Sequence, residues 1–400
     1  MPNDRTRRFT LPGIHELNKD QDEALALPME GRHLIIGGPG TGKSVVALLR
    51  ARRLKKENKT YRVLVYNNLL QHSNSHLFGK DQPFRAGTWD KWFRRHFETR
   101  LSVRDVPTLE PDDRGYRAID WEDVERQVQS LDNVPDQDDF DPSDKFIVID
   151  EGQDMPPAFY QTLVKLGFEN FYVAADQNQQ IHPDRCSSRQ KIEDTLVIES
   201  GETLELKTNY RNTRPIALLA RHFYPDDPAS PKPDLPDLIP AAETPELWTY
   251  GTANTATLAA IADNILQLSD RNISKLIGII TPNNKVREKF NDALSRANPR
   301  LDNDKPPVRT FVSGQKELPD FGQGGIMVIN AQSCKGLEFD TVILADIDQH
   351  KPKHDHALKA RFYVMVARAR EHLMLLRTGD IPCPVVDKLL PTDPSILVRK

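Results

Sequence analysis

Short, continuous apolar runs alternate along this chain with stretches whose apolar positions recur at helical spacing. The first run, His33-Leu34-Ile35-Ile36, is followed by Val45-Val46-Ala47-Leu48-Leu49, which continues as a basic helical pattern, and then by a second run, Arg62-Val63-Leu64-Val65-Tyr66. Strand, helix and strand in that order predict a βαβ unit and a parallel sheet. Upstream, Asn18 is placed to cap a helix in which Gln21, Ala24, Leu25 and Leu27 follow at helical spacing. Lys145–Ile149 and Phe171–Ala175 are further buried-strand signals, each running into an acid. Residues 100–143, before the first of these, are acidic and dotted with proline, with one modest helical pattern from Trp121 to Val128, and read as a small insertion.

Seven prolines between Tyr224 and Pro245 predict a semi-rigid connector. A second α/β pattern follows it: a helix over Leu258–Leu268, a strand over Leu276–Ile280, a helix over Lys285–Leu294, strands at Gly325–Ile329 and Thr341–Ala345, a helix over Phe362–Ala369 and a last strand at Leu373–Leu376. The division expected is therefore a first domain over residues 1–205 and a second over 206–400.

Four hundred residues accommodate two cores, and 38% hydrophobic with 28% charged residues is ordinary for a globular protein. No apolar run approaches a membrane span, and the opening MPNDRTRRFT is too polar for a secretory signal. Three separated cysteines offer neither a disulfide framework nor a thiolate metal site, so a cytoplasmic setting is expected. A net charge of −4 argues against indiscriminate nucleic-acid binding, although Arg50–Lys56 and Lys91–His96 are locally basic. In the second cluster Trp89, Trp92 and Phe93 interleave with the charges, which suits either a helix core with a basic outer face or contact with a nucleic-acid strand. His350, His354 and His356 lack matching ligands elsewhere and read as a solvated loop rather than a metal site, its lysines offering phosphate contact.

The candidate chemistry begins at Gly37–Ser44, GGPGTGKS, between the first strand and its helix. This is the G-x-x-x-x-G-K-[ST] spacing of a phosphate-binding loop. Glycines let successive N–H groups turn toward one centre, and the helix N-terminus adds partial positive charge. Gly38, Pro39, Gly40, Thr41 and Gly42 would form the cradle, Lys43 would reach the β- and γ-phosphates, and Ser44 would present its hydroxyl to Mg²⁺. Asp150 and Glu151 end a strand, and in open parallel sheets strand carboxyl ends face the ligand crevice. Asp150 suits Mg²⁺ and Glu151 suits the base that orients and deprotonates the attacking water. The second half has no such loop.

With these pieces in place, the chain resembles a superfamily 1 helicase of the UvrD/Rep type, through ordered motifs over most of its length. Leu17-Asn18-Lys19-Asp20-Gln21 is similar to the adenine-reading segment, Asp150-Glu151-Gly152-Gln153-Asp154 to DEAQD, and Ala175-Asp176-Gln177-Asn178-Gln179 to GDxxQ. Asn209-Tyr210-Arg211 matches NYR, Lys335-Gly336-Leu337-Glu338-Phe339-Asp340 matches KGLEFD, and Tyr363–Ala369 is similar to YVAxTRA. The resemblance implies two tandem RecA-like domains with parallel sheets and an ATP site in the cleft between them. It assigns Gln21 and Tyr210 to adenine, Arg211 to the γ-phosphate, Arg368 as the arginine finger, and Gln179 with Glu338 to the nucleotide-sensing relay. Tyr66, Asn67, Thr88 and Trp89 fall where the family contacts single-stranded nucleic acid. The implied activity is ATP hydrolysis driving 3′→5′ movement on single-stranded DNA, a reading that supports translocation more than strand separation.

Departures from the family pattern also carry information. Asp184 stands where a base-stacking aromatic is expected, with His182 either substituting or serving as a structural histidine; such stacking is worth ~1–3 kcal/mol per base. Asn330-Ala331-Gln332 replaces T-x-H, leaving Asn330 and Gln332 to donate to phosphate or the relay, and Ala367 replaces the Thr before the finger. The large accessory domains are nearly absent, which implies a bare two-domain motor with a nuclease or effector partner in DNA repair or anti-phage defence. The alternative is a nucleotide-gated, nucleic-acid-sensing module with slow hydrolysis that signals to such a partner.

Overall fold

The computed structural model describes residues 4–7, 11–78, 84–111, 115–130, 145–180, 186–199, 201–312, 315, 318–351, 355–379 and 383–400. The first half contains helices α1 (Lys19–Ala26), α2 (Lys43–Lys56), α3 (Asn68–Phe78), α4 (Trp89–Leu101), α5 (Trp121–Gln129), α6 (Pro157–Lys165) and α7 (Arg189–Leu196). Its strands are β1 (Arg32–Gly37), β2 (Tyr61–Val65), β3 (Ala86–Thr88), β4 (Phe146–Ile149), β5 (Asn170–Ala175) and β6 (Leu204–Leu206). They form a parallel sheet in the order β3-β2-β4-β5-β1-β6. The chain leaves β1 through α2 and re-enters the sheet three positions away, at β2. Later β4 and β5 fill the gap, so the carboxyl ends of β4, β5 and β1 lie side by side.

Alternation along each strand decides which layer it packs against. Leu34 and Ile36 point into a cluster with Phe93, Phe159 and Leu163, while Ile35 points into the opposite cluster with Val46, Leu54 and Tyr61. The stretch expected as a small insertion contributes Val106, Ile119, Val124 and Val128 to the first of these clusters. Its described part is therefore built into the core. Spread apolar positions in a charged segment concealed this.

The second half contains α8 (Arg214–His222), α9 (Leu258–Arg271), α10 (Asn284–Arg296), α11 (Asp355–Val366) and α12 (Pro384–Leu389). Its strands are β7 (Glu246–Tyr250), β8 (Leu276–Thr281), β9 (Val308–Thr310), β10 (Gly325–Asn330), β11 (Phe339–Leu344), β12 (Ala369–Thr378) and β13 (Val398–Arg399), paired in parallel in the order β13-β7-β12-β11-β8-β10-β9. Helices cover both faces, α8 and α11 on one and α9 and α10 on the other. The result is an α/β fold of two parallel sheets flanked by helices, consistent with RecA-like domains. No helix among the described residues is long and apolar enough to cross a membrane.

Two local differences from the sequence-based expectation bear on function. The helix expected over Phe362–Ala369 ends at Val366, and Ala369 already belongs to β12, so Arg368 sits in the turn between them. The proline-rich connector packs back against the first half: Gln177 N–H donates to the Ser230 hydroxyl at 2.7 Å, and Asp234 N–H donates to Lys207 O, just past β6, at 2.8 Å.

The halves also meet along α3. Its Leu69 is buried in the second half's core, and a Cβ on Gly336 would come within 2.7 Å of Leu70.

Candidate functional site

The loop after β1 turns through Gly40 at φ 80° and Gly42 at φ 93°, left-handed conformations that favour glycine. The space is also closed to side chains. A Cβ at residue 40 would lie 2.1 Å from Asn209 Oδ1, and one at residue 42 would lie 2.3 Å from Gln21 Nε2. Gln21 is held by its own helix cap, its Oε1 accepting from Asn18 N–H at 3.2 Å, and its Nε2 donates to Thr41 O at 3.0 Å. Tyr210 N–H donates to Gly40 O at 2.9 Å, and the Tyr210 hydroxyl accepts from Asn18 Nδ2 at 2.7 Å. Gln21 and Tyr210 thus stand together at the loop, and Tyr210 is 57% exposed.

Beside the loop, the Ser44 hydroxyl donates to Asp150 Oδ1 at 3.1 Å. Buried Asn74 donates to the other oxygen of Asp150 at 3.4 Å. Lys43 folds inward, donating to Gly38 O at 2.8 Å and lying 3.7 Å from Asp176. Burial lowers the Lys43 pKa against the pull of Asp176 and Glu151. Burial and the neighbouring Glu151 push Asp150 up to about 6. Glu151 moves the other way: burial opposes its charge, but Lys335, Lys43 and Arg368 outweigh it and hold the carboxyl below its usual range. Two adjacent acids therefore occupy different states, one poised near neutrality and one firmly ionised. Gln153 Nε2 donates to Glu151 Oε2 at 2.6 Å, and Gln153 Oε1 accepts from Asp176 N–H at 2.9 Å.

The second half sends three cations into this cluster. Arg368 is 1% exposed, donates from Nε to Val364 O at 2.9 Å, and crosses to Gln179 Oε1 at 2.8 Å. Lys335 donates to Asp154 Oδ1 at 2.6 Å and to Gln179 O at 2.7 Å, and lies 3.9 Å from Glu151. Burial opposes its charge, yet Asp154 and Glu151 hold the Lys335 ammonium above its usual range. Arg211 pairs with Glu338, while its buried Nε has no hydrogen-bond partner among the described residues. The loop, Glu151, Gln179, Arg211, Gly336 and Arg368 line one cleft, and their packed side chains leave a cavity of only about 10 Å³.

Lys43, Ser44, Asp150, Glu151, Gln179, Arg211, Glu338 and Arg368, widely spaced in sequence, are thus gathered into one place. Lys335, Gln153 and Asn74 join them although sequence reasoning gave them no role. Lys335 and Gln153 lie inside motifs already singled out by the resemblance, and that was their available signal. Asn74 had none.

Of the residues expected on a nucleic-acid track, Tyr66, Asn67, Thr88 and Trp89 lie at the carboxyl ends of the adjacent strands β2 and β3, where Val65 pairs with Thr88, whereas Asn330 and Gln332 follow from β10 of the second half. Tyr66 is 44% exposed just past the carboxyl end of β2, and burial of its hydroxyl together with nearby Asp154 raises its pKa. Asn67 caps α3 through Leu70 N–H at 2.8 Å, and Thr88 is the N-cap residue of α4. Trp89 packs its ring on Trp121 and Phe159, with centroids 6.3 and 5.4 Å away, as an edge of the hydrophobic core. Asn330 accepts from Thr281 Oγ1 at 3.0 Å and donates to Asn284 Oδ1 at 2.6 Å at the end of β10, and Gln332 is exposed beyond it. His182, with Asp184, lies outside the described residues. His350 is buried against Phe362, and burial lowers its pKa to about 3. Among the described residues no group of three or more His, Cys, Asp or Glu is arranged to hold a metal.

The UvrD-like helicase C-terminal domain family matches residues 325–376, which run from β10 into β12 and include Lys335, Glu338 and Arg368. No curated protein matches the chain. Among solved structures, the C-terminal domain of a possible DNA helicase from Lactobacillus plantarum WCFS1 is similar at 18% identity, over 48% of this chain and 98% of that one, with a TM-score of 0.34. The family match suggests a helicase-type motor.

Proposed function

We infer that this chain is an ATP-hydrolysing motor of the UvrD-like helicase type that moves 3′→5′ on single-stranded DNA. The observation that carries the reading is the crossing of Arg368 and Lys335 from a half without a phosphate loop onto Gln179, Asp154 and Glu151 of the half that has one. In this reading residues 1–205 form the loop-bearing RecA-like domain, residues 206–400 the finger-bearing one, and ATP is bound in the cleft. The triphosphate lies along Gly38–Ser44, with adenine against Gln21 and Tyr210. The hard oxygen pair of Ser44 and Asp150, 3.1 Å apart, fits Mg²⁺. That ion, held by Ser44 and Asp150, would neutralise phosphate charge.

Ionised Glu151, oriented by Gln153, aligns the attacking water and takes its proton. The water oxygen bonds to the γ-phosphorus as the bond to the β,γ-bridging oxygen breaks, giving ADP and inorganic phosphate. Lys43, Arg211 with its unpartnered Nε, and Arg368 offset charge on the transferring phosphoryl group. Because Arg368 belongs to the other half, hydrolysis is tied to closure, and opening after product release would shift the two halves along a strand lying across both. A nuclease or effector partner remains a proposal resting on the small size of the insertions, and isolation of the native protein always alone would remove it.

An Arg368→Ala variant tests the site directly. Turnover is expected to fall by ~10³-fold or more, the scale of a lost arginine finger, while binding of a fluorescent ATP analogue stays within a few-fold of the parent. Unchanged turnover would remove Arg368 from the reaction.

A further inference from the structure

The proline-rich segment after α8 does more than join two domains. Asp226, at φ 64°, turns it back toward the first half. Buried Asn178 then engages it like a strand neighbour, its Oδ1 accepting from Asp227 N–H at 3.0 Å and its Nδ2 donating to Asp227 O at 3.3 Å and to the Tyr224 hydroxyl at 3.0 Å. The Ser230 hydroxyl accepts from Gln177 N–H at 2.7 Å, and Tyr224 donates to Ser230 O at 3.0 Å. Further on, Pro233 sits against the phosphate loop so closely that a Cβ on Gly38 would fall 2.0 Å from its ring. Arg221 Nη2 and Arg214 Nη1, both on α8, donate to Pro233 O at 2.7 Å and Pro236 O at 3.0 Å, fixing the strap to the second half.

These contacts converge on two elements of the proposed chemistry. Gln177, Asn178 and Gln179 form one short turn, and Gln179 is the residue that Arg368 and Lys335 reach. Gly38 is the carbonyl to which Lys43 donates. We propose that residues 224–236 are a positioning strap, with Ser230 and Asn178 as positioning residues that hold the Gln179 turn in register with Arg368 while Pro233 backs the phosphate loop. The proposal rests on the ATP-hydrolysing reading of the cleft. Proline suits the role because a strap with restricted φ loses little entropy on docking. Among the described residues neither Ser230 nor Asn178 hydrogen-bonds to the phosphate loop or to Arg368, so their effect passes through Gln179. They therefore act on the rate more than on nucleotide affinity.

The test uses the full chain with Ser230→Ala, Asn178→Asp and the conservative Ser230→Thr. Turnover, binding of a fluorescent ATP analogue, melting temperature and amide hydrogen exchange are measured on each. In Ser230→Ala, kcat is expected to fall about tenfold, equivalent to ~1.4 kcal/mol, with analogue binding changed less than about threefold. The melting temperature should stay near the parent value, exchange at Gln177–Gln179 should accelerate, and Ser230→Thr should restore both rate and protection. Parental kcat in both Ser230→Ala and Asn178→Asp, or a loss that only tracks the melting temperature, overturns the proposal. Should the parent protein itself hydrolyse no ATP, the motor reading fails, and exchange alone then decides the strap. Faster exchange at the turn in Ser230→Ala upholds it, and unchanged exchange overturns it.

Discussion

At Asp150 the local chemistry sets a pH dependence. Burial and Glu151 raise its pKa from 3.8 to about 6, so the folded chain holds this proton more tightly than the unfolded chain does. Its contribution to stability is therefore greatest below the unfolded value and is lost as pH rises through about 6. A magnesium ion needs the carboxylate, and its binding runs the other way. Stabilisation by Mg²⁺ with ATP, read as a thermal shift, should be clearly larger near pH 7.5 than near pH 5.5, with the change centred around 6. Equal shifts at both pH values would remove Asp150 as a metal ligand. Glu151 should stay ionised across this range, because Lys335 and the two neighbouring cations hold it there. Lys335 is thus as much a part of the site as the loop lysine, although its motif alone did not say which charges it would meet.

At the scale of elements, α3 joins the two halves. Leu69 lies in the second half's core, Leu70 faces Gly336, and Asn74 on the same helix reaches Asp150. Leu69→Ala should cost ~2–5 kcal/mol, as truncation of a buried leucine does, and should lower turnover as well because α3 also steadies Asp150. A stability loss without any rate change would confine α3 to packing. The elements also explain what was readable from sequence. Strands β1, β4, β5, β8, β10 and β11 are buried on both faces, so their continuous apolar runs stood out. Strands β3, β6 and β9 are three residues long, with β3 and β9 intermediate in exposure throughout, and their sequences carry no such run. The end of α11 was misread because Tyr363–Ala369 is apolar on both sides of the turn, and periodicity does not mark where such a run leaves the helix. Candidate phosphate-loop and acidic residues were legible because their spacing is local. The strap and α3 act through contacts between distant segments, which no local pattern records.

For the whole molecule, closure is held by charges as well as by packing. Lys335 meets Asp154, Arg368 meets Gln179, and at the other end of the chain Arg7 is buried against Asp340 at 3.2 Å while Thr6 bridges Gln323. The first half is thus tied to the second through its residues 4–7, and the strap of the second half docks back on the first. A motor built this way exchanges one set of inter-half contacts for another in each cycle, and its rate should depend on the track that lies across both halves. The most direct measurement is steady-state ATP turnover without nucleic acid, with single-stranded DNA and with single-stranded RNA, at two salt concentrations, with Lys43→Ala as the control. The account predicts strong stimulation by single-stranded DNA that weakens as salt rises, and no turnover in the variant. Slow turnover that neither polymer changes would contradict it and leave a nucleotide-gated module in its place.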